Sequence, residues 1–136
     1  MADRRALIPP PTTPYRRQWR FFTTSTGADV VRRELDALEA QQAAALVGEM
    51  RVIARTGLHE GGARHLRGAL WEVRAESDQV AIRALFAKQG RYGQVLLLLH
   101  IFKKKTRQTP PRLIELAERR LRDWMDRGRP GHRGGG

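Results

Sequence analysis

Arg74 and Arg83 fall in two neighbouring stretches of alternating apolar and polar character, and Lys103, Lys104, Lys105 and Arg107 follow directly on a third, strongly apolar one. Guanidinium forks and ammonium groups are the side chains that hold phosphate oxygens and offset negative charge developing on them. If the first two stretches pair as antiparallel strands, Arg74 and Arg83 can project from one face toward one phosphate. Alternation then lets only one of Lys104 and Lys105 aim at the same place. Lys103 and Arg107 extend the basic edge, Arg67 and His65 precede Arg74 in what reads as a loop, and His100 lies inside the apolar stretch. Carboxylates are scarce in this neighbourhood apart from Glu72 and Glu76, so chemistry run by a pair of them is not expected. The chemistry these residues could do is anion binding and stabilisation of a phosphate under attack.

Each residue also has a plainer reading. Arg74 could pair with Glu72 or Glu76 on a solvated strand face. Arg83, between apolar neighbours, needs a reason to be there, because a buried charge is costly without partners. The lysine run reads equally as a solvated strand end. His100 is either a hydrogen-bonded core histidine or a proton-handling group, and His65 has the same two readings in a more exposed place. Trp71 and Trp124 read as core, although an exposed Trp71 could stack on a base.

Composition narrows the partners. Lys and Arg total 26 against 14 acidic residues in 136, a formal net charge of +12. Such an excess points to a polyanion, most simply nucleic acid, or to an acidic protein that masks the charge. The chain has no cysteine, which rules out disulfides and thiolate metal sites. No apolar run reaches the roughly 18 residues of a membrane span and the N-terminus lacks a signal-peptide core, so a soluble cytoplasmic protein is expected. No metal and no small-molecule cofactor are expected either.

The positioning elements follow from periodicity. Residues 1–15 carry Pro9, Pro10, Pro11 and Pro14 without periodicity and read as a flexible, Pro-rich leader. Residues 16–127 read as one folded domain, and 128–136 as a disordered Gly/Arg tail. Within the domain, Arg16 to Thr24 predicts a first, edge strand. Val30, Val31, Leu35 and Leu38 share one helical face over about 28–38, and Leu46, Val47, Met50 and Ile53 share another over about 40–55, predicting a helical hairpin. Residues 58–68 read as a loop. Leu70 to Glu76 and Val80 to Ala87 alternate and are separated by Ser77, Asp78 and Gln79, a hairpin; Val95 to Phe102 is apolar throughout and reads as a central strand. Thr109 as N-cap and Pro110 in the first turn open a last helix to Arg127, with Leu113, Ala117, Leu121 and Trp124 on one stripe. The result is an α+β domain: an antiparallel sheet of about four strands with helices on one side of it.

Residues from Leu66 onward resemble the HigB-like, phage-derived branch of the RelE/ParE toxin superfamily. The resemblance is carried by Leu66-Arg67-Gly68, Leu70-Trp71-Glu72-Val73-Arg74 and Ile82-Arg83-Ala84-Leu85-Phe86. Leu99-His100-Ile101-Phe102, Lys104-Lys105-Thr106, Thr109-Pro110 and Ile114-Glu115, Ala117 and Arg120 continue it, and Gln18-Trp19-Arg20-Phe21-Phe22 matches the opening strand. The chain departs from the family at Ile82, where an aromatic is frequent, and at Ile101, where glycine is frequent. The resemblance implies a RelE-like fold and a type II toxin, the HigB-like kind cleaving mRNA on the ribosome as an endoribonuclease. Cleavage would need no metal, the ribose 2′-OH attacking the adjacent phosphate. It further implies a cognate antitoxin, often of helix-turn-helix type, as partner. On that footing Arg74, Arg83, Lys104 and Lys105 are the expected catalytic residues, and Arg67, His65, Lys103, Arg107 and His100 the expected RNA-binding ones. Two other functions remain compatible with the same sequence: a ParE-like toxin directed at DNA gyrase, and a non-catalytic protein that binds RNA or ribosomes.

Overall fold

A computed structural model describes residues 17–57 and 62–128. The Pro-rich leader with Arg16, the Gly/Arg tail from Arg129 and the loop positions Leu58, His59, Glu60 and Gly61 lie outside the described residues. Among those described, no helix is long and apolar enough to cross a membrane.

Two alternating strands, β3 (Leu70–Ser77) and β4 (Val80–Gln89), form the hairpin that periodicity predicts, in register from Ser77↔Val80 to Leu70↔Ala87. Its two-residue turn puts Asp78 and Gln79 at φ 51° and 66°, the left-handed geometry that matches strand twist. β5 (Val95–Lys104) returns antiparallel to β4. β1 (Gln18–Phe21) is an edge strand as expected, but it pairs parallel to β5, so three of the four pairings are antiparallel and one is not.

The segment read as a loop contains a fifth strand, β2 (Ala63–Arg67), antiparallel to β3 at the opposite edge. The sheet therefore runs β1-β5-β4-β3-β2. Alternation did not reveal β2 because Arg64, His65 and Arg67 are all exposed, as suits an edge strand that must not recruit another chain. Both His65 and Arg67 are thus strand residues.

The helices occupy both faces, not one. α1 (Val30–Asp36) and α2 (Ala40–Thr56) form the expected hairpin, with a capping box in which the Glu39 backbone N–H donates to Gln42 Oε1 at 3.1 Å. α2 buries Leu46, Met50 and Ile53, and the Trp19 indole N–H donates to its Met50 carbonyl at 2.8 Å. Phe22 points the other way from Trp19, toward Trp124 of α3 (Pro111–Arg127), their rings 6.1 Å apart. Thr109 does not cap α3: Pro110 takes that position and Pro111 the first turn. The Thr109 hydroxyl donates instead to Glu72 Oε2 at 2.9 Å.

One irregularity governs the site. Phe86 pairs with Leu98 and Leu85 with His100, so Leu99 has no opposite number and β5 carries a bulge there. Leu96 to Leu99 are all buried because both faces of β5 are covered. β1 pairs with β5 only as far as Leu98, and beyond it side chains replace the missing strand. Arg120 donates to the Leu99 carbonyl at 2.7 Å, and Glu34 Oε1 accepts the Ile101 N–H at 3.0 Å.

Candidate functional site

Arg74 and Arg83 are directly opposite each other in the β3–β4 register and so share a face, as their spacing predicts. Arg83 is 5% exposed. Its Nη1 donates to the Ile82 carbonyl at 2.9 Å and the Ala75 carbonyl at 3.2 Å, which lays the guanidinium flat along the sheet. Nε is buried with no hydrogen-bond partner among the described residues. Burial pushes the Arg83 pKa down; Glu72 and Glu76 pull it up, Arg74 and Arg64 push it down further, and the net shift is downward. An arginine nonetheless remains charged at any physiological pH. This is a fixed cation beside two others, Arg74 and Arg64.

Arg74 is exposed and forms no ion pair with Glu72 or Glu76 among the described residues. It lines an open hollow of roughly 630 Å³ together with Arg83, Arg64, Glu76 and Glu49, over the backbone of Gly62, Ala63 and Ala75. Arg64 is a residue that sequence reasoning passed over. It stands opposite Glu72 in the β2–β3 register, and no motif marks it because the strand that positions it was not visible.

The bulge at Leu99 settles which lysine joins them. Arg83 pairs with Phe102 and Ala81 with Lys104, so Lys104 stands on the Arg83 face at the end of β5. Lys103 pairs with Ile82 and points to the opposite face. Lys105 lies beyond the strand and is exposed. A second, smaller hollow of roughly 260 Å³ lies alongside, lined by Lys104, Arg107, Arg64, Glu72, Gln108 and Thr109 above Leu66 and Ile114. Arg64 lines both hollows.

The remaining expected residues are engaged elsewhere. Both forks of Arg67 donate to the Glu118 carboxylate, at 2.9 and 3.0 Å; that partner raises the Arg67 pKa and lowers that of Glu118. His65 packs edge-on against Trp71, whose face is that of Phe86 and Trp19, away from Arg83. Its Nε2 lies 2.9 Å from the Gly68 carbonyl. His100 shares the Arg83 face but stacks on Phe102 and places Nδ1 3.0 Å from Glu34 Oε1. That approach is off the ring's donor direction, an electrostatic contact more than an aligned hydrogen bond. Burial raises the Glu34 pKa, but His100, the Ile101 N–H and Arg120 outweigh it and the net shift is downward.

Four cations on one face, one of them buried and fixed by backbone carbonyls, can hold a phosphodiester and absorb charge that builds on its oxygens. Among the described residues no cluster of His, Asp and Glu could hold a metal ion.

Residues 33–122 match the family described as phage derived protein Gp49-like (DUF891). The chain is also 33% identical over 118 residues to "Probable endoribonuclease HigB1" of two Mycobacterium tuberculosis strains, CDC 1551 and H37Rv, covering 86% of this chain and 92% of theirs.

Proposed function

This chain belongs to the phage-derived Gp49-like family and is HigB-like, and on that premise we propose that it is a toxin–antitoxin endoribonuclease that cuts mRNA. The reading extends to cleavage on the ribosome, without a metal, and to silencing by a cognate antitoxin of helix-turn-helix type. The family match and the relatives' printed name support the coarser statement. The observation that supports the finer one is the buried Arg83 guanidinium, fixed by two backbone carbonyls and lining a hollow shared with Arg74 and Arg64.

In this reading the ribose 2′-oxygen attacks the neighbouring phosphorus as its proton leaves to a base. The new P–O2′ bond forms while the P–O5′ bond breaks, and the departing O5′ takes up a proton. The products are a 2′,3′-cyclic phosphate and a 5′-hydroxyl end. Charge grows on the non-bridging oxygens in the transition state, which is where fixed guanidinium groups act most strongly. Arg83 and Arg74 hold those oxygens, and Lys104, at the end of β5, stabilises charge on the leaving O5′. Because Arg83 is already oriented by two carbonyls, little reorganisation accompanies the reaction.

The test is inducible expression with end-mapping of cellular transcripts, for the natural protein and Arg83→Ala, with folding of both checked by circular dichroism. The natural protein should leave discrete new 5′-hydroxyl ends in open reading frames and arrest growth. Arg83→Ala should lower cleavage on the order of 100-fold or more, the usual cost of removing one oxyanion-stabilising donor. Unimpaired toxicity of the folded variant would remove Arg83 from the mechanism. Arrest with intact mRNA and DNA-damage signals would instead identify a gyrase-directed toxin.

A further inference from the structure

The smaller hollow beside the cation cluster has a composition unlike the larger one. Its floor is apolar, Leu66 and Ile114, and its wall holds one carboxylate, Glu72, beside the amide of Gln108. Glu72 is 2% exposed and forms no ion pair among the described residues, although Arg64, Lys104 and Arg107 line the same hollow. The hydroxyl of Thr109, donating to Oε2, is the only hydrogen bond its side chain makes among the described residues. A carboxylate removed from water needs donors, and one left short of them is costly. Oε1 has no hydrogen-bond partner among the described residues and is not one of the side-chain atoms sealed from solvent, so it is an acceptor open to a ligand, held in place through its sister oxygen on a residue that lines the hollow.

We propose that this hollow is the subsite for a nucleobase adjoining the bound phosphate, and that Glu72 Oε1 selects a base presenting an exocyclic amino group, with cytosine preferred over uracil. The proposal rests on the ribonuclease reading above and deepens it. An apolar floor suits the face of a heterocycle and a polar wall suits its edge. The volume, roughly 260 Å³, has room for one base. Arg64 lines both hollows, so a base seated in one stays linked to a phosphate held in the other. A carboxylate accepts from the N4 amino group of cytosine, whereas the O4 of uracil at the same place would meet it acceptor to acceptor. Discrimination by a buried group left unpaired with the wrong ligand is the stronger kind.

The two ligands that differ at just this point are cytidine and uridine 5′-monophosphate. Titration of each into the full-length protein, followed by heteronuclear NMR, should show the cytidine nucleotide binding on the order of tenfold more tightly. Equal affinities, or no binding of either at millimolar concentration, would overturn the proposal. Glu72→Gln, whose amide can donate to O4, should erase or reverse the preference; retention of the tenfold gap in that variant would also overturn it. Should Glu72→Gln fail to fold, the comparison of the two nucleotides on the natural protein decides alone. Arg83→Ala separates this idea from the phosphate site. It should weaken both nucleotides by the same factor and leave their ratio intact, whereas unchanged affinity for both would sink the phosphate site and leave the base subsite standing.

Discussion

Arg120 is the residue through which the last helix holds the bulge in β5, and Arg120→Met is the perturbation that tests it. Its Nη1 donates to the Leu99 carbonyl at 2.7 Å and to Glu34 Oε2 at 3.0 Å, and its guanidinium lies 5.6 Å from the centre of the Phe22 ring. Methionine fills much of the same volume and removes all of these donors. A hydrogen bond from a charged group contributes about 1.5–3 kcal/mol, and a carbonyl left unpaired inside costs about 1–3 kcal/mol. Arg120 and Glu34 remain 16% and 22% exposed, so water recovers part of that loss and about 2–3 kcal/mol is expected. With a urea slope near 1.5 kcal/mol/M, the midpoint should fall by roughly 1.5 M. Urea titration followed by tryptophan fluorescence measures this, with Arg119→Met, one residue away and exposed, as a control expected to move by less than about 0.5 kcal/mol. A shift for Arg120→Met no larger than the control's would mean that the bulge stands without it, and the account of how β5 is held would be wrong.

The same junction carries a pH dependence. Glu34 has its pKa lowered on folding, so its contribution is present above its unfolded value near 4.5 and is lost as pH falls through the folded value. The stability gap between the natural protein and Glu34→Gln should therefore narrow from pH 7 to pH 3; a constant gap would contradict it. Lys104→Ala should slow cleavage on the order of 100-fold while Lys103→Ala, on the other face, stays within about twofold, as transcript end-mapping would measure. If Arg64, Arg74, Arg83 and Lys104 each neutralise a phosphate, single-stranded RNA binding should fall roughly 50-fold between 50 and 200 mM salt, from a slope of about 0.7 per contact. A slope near zero in filter binding would dismiss the cluster as an RNA contact.

What the sequence shows and what it hides follow from how each signal arises. Leu70 to Glu76 and Val80 to Phe86 each keep a phase, so the hairpin and the Arg74–Arg83 pairing can be read directly. The α3 stripe is legible for the same reason. β2 was not, since an edge strand with Arg64, His65 and Arg67 exposed has no apolar phase to read, and Arg64 was lost with it. Thr109 before Pro110 has the form of a helix cap, a role in which its hydroxyl oxygen would accept from backbone N–H groups, but Pro110 takes the cap position and the Thr109 hydroxyl donates to the buried Glu72 carboxylate. The deepest concealment is in Leu96 to Leu99: four buried leucines look alike whichever face they occupy, so a bulge among them leaves no mark. Yet that extra residue inverts everything after it. Without it Ala81 would stand opposite Lys103 and not Lys104, and the lysine beside Arg83 would be the wrong one. The choice of cation at the site is thus made from α1 and α3, where Glu34 and Arg120 take up the N–H and carbonyl that β1 is too short to reach.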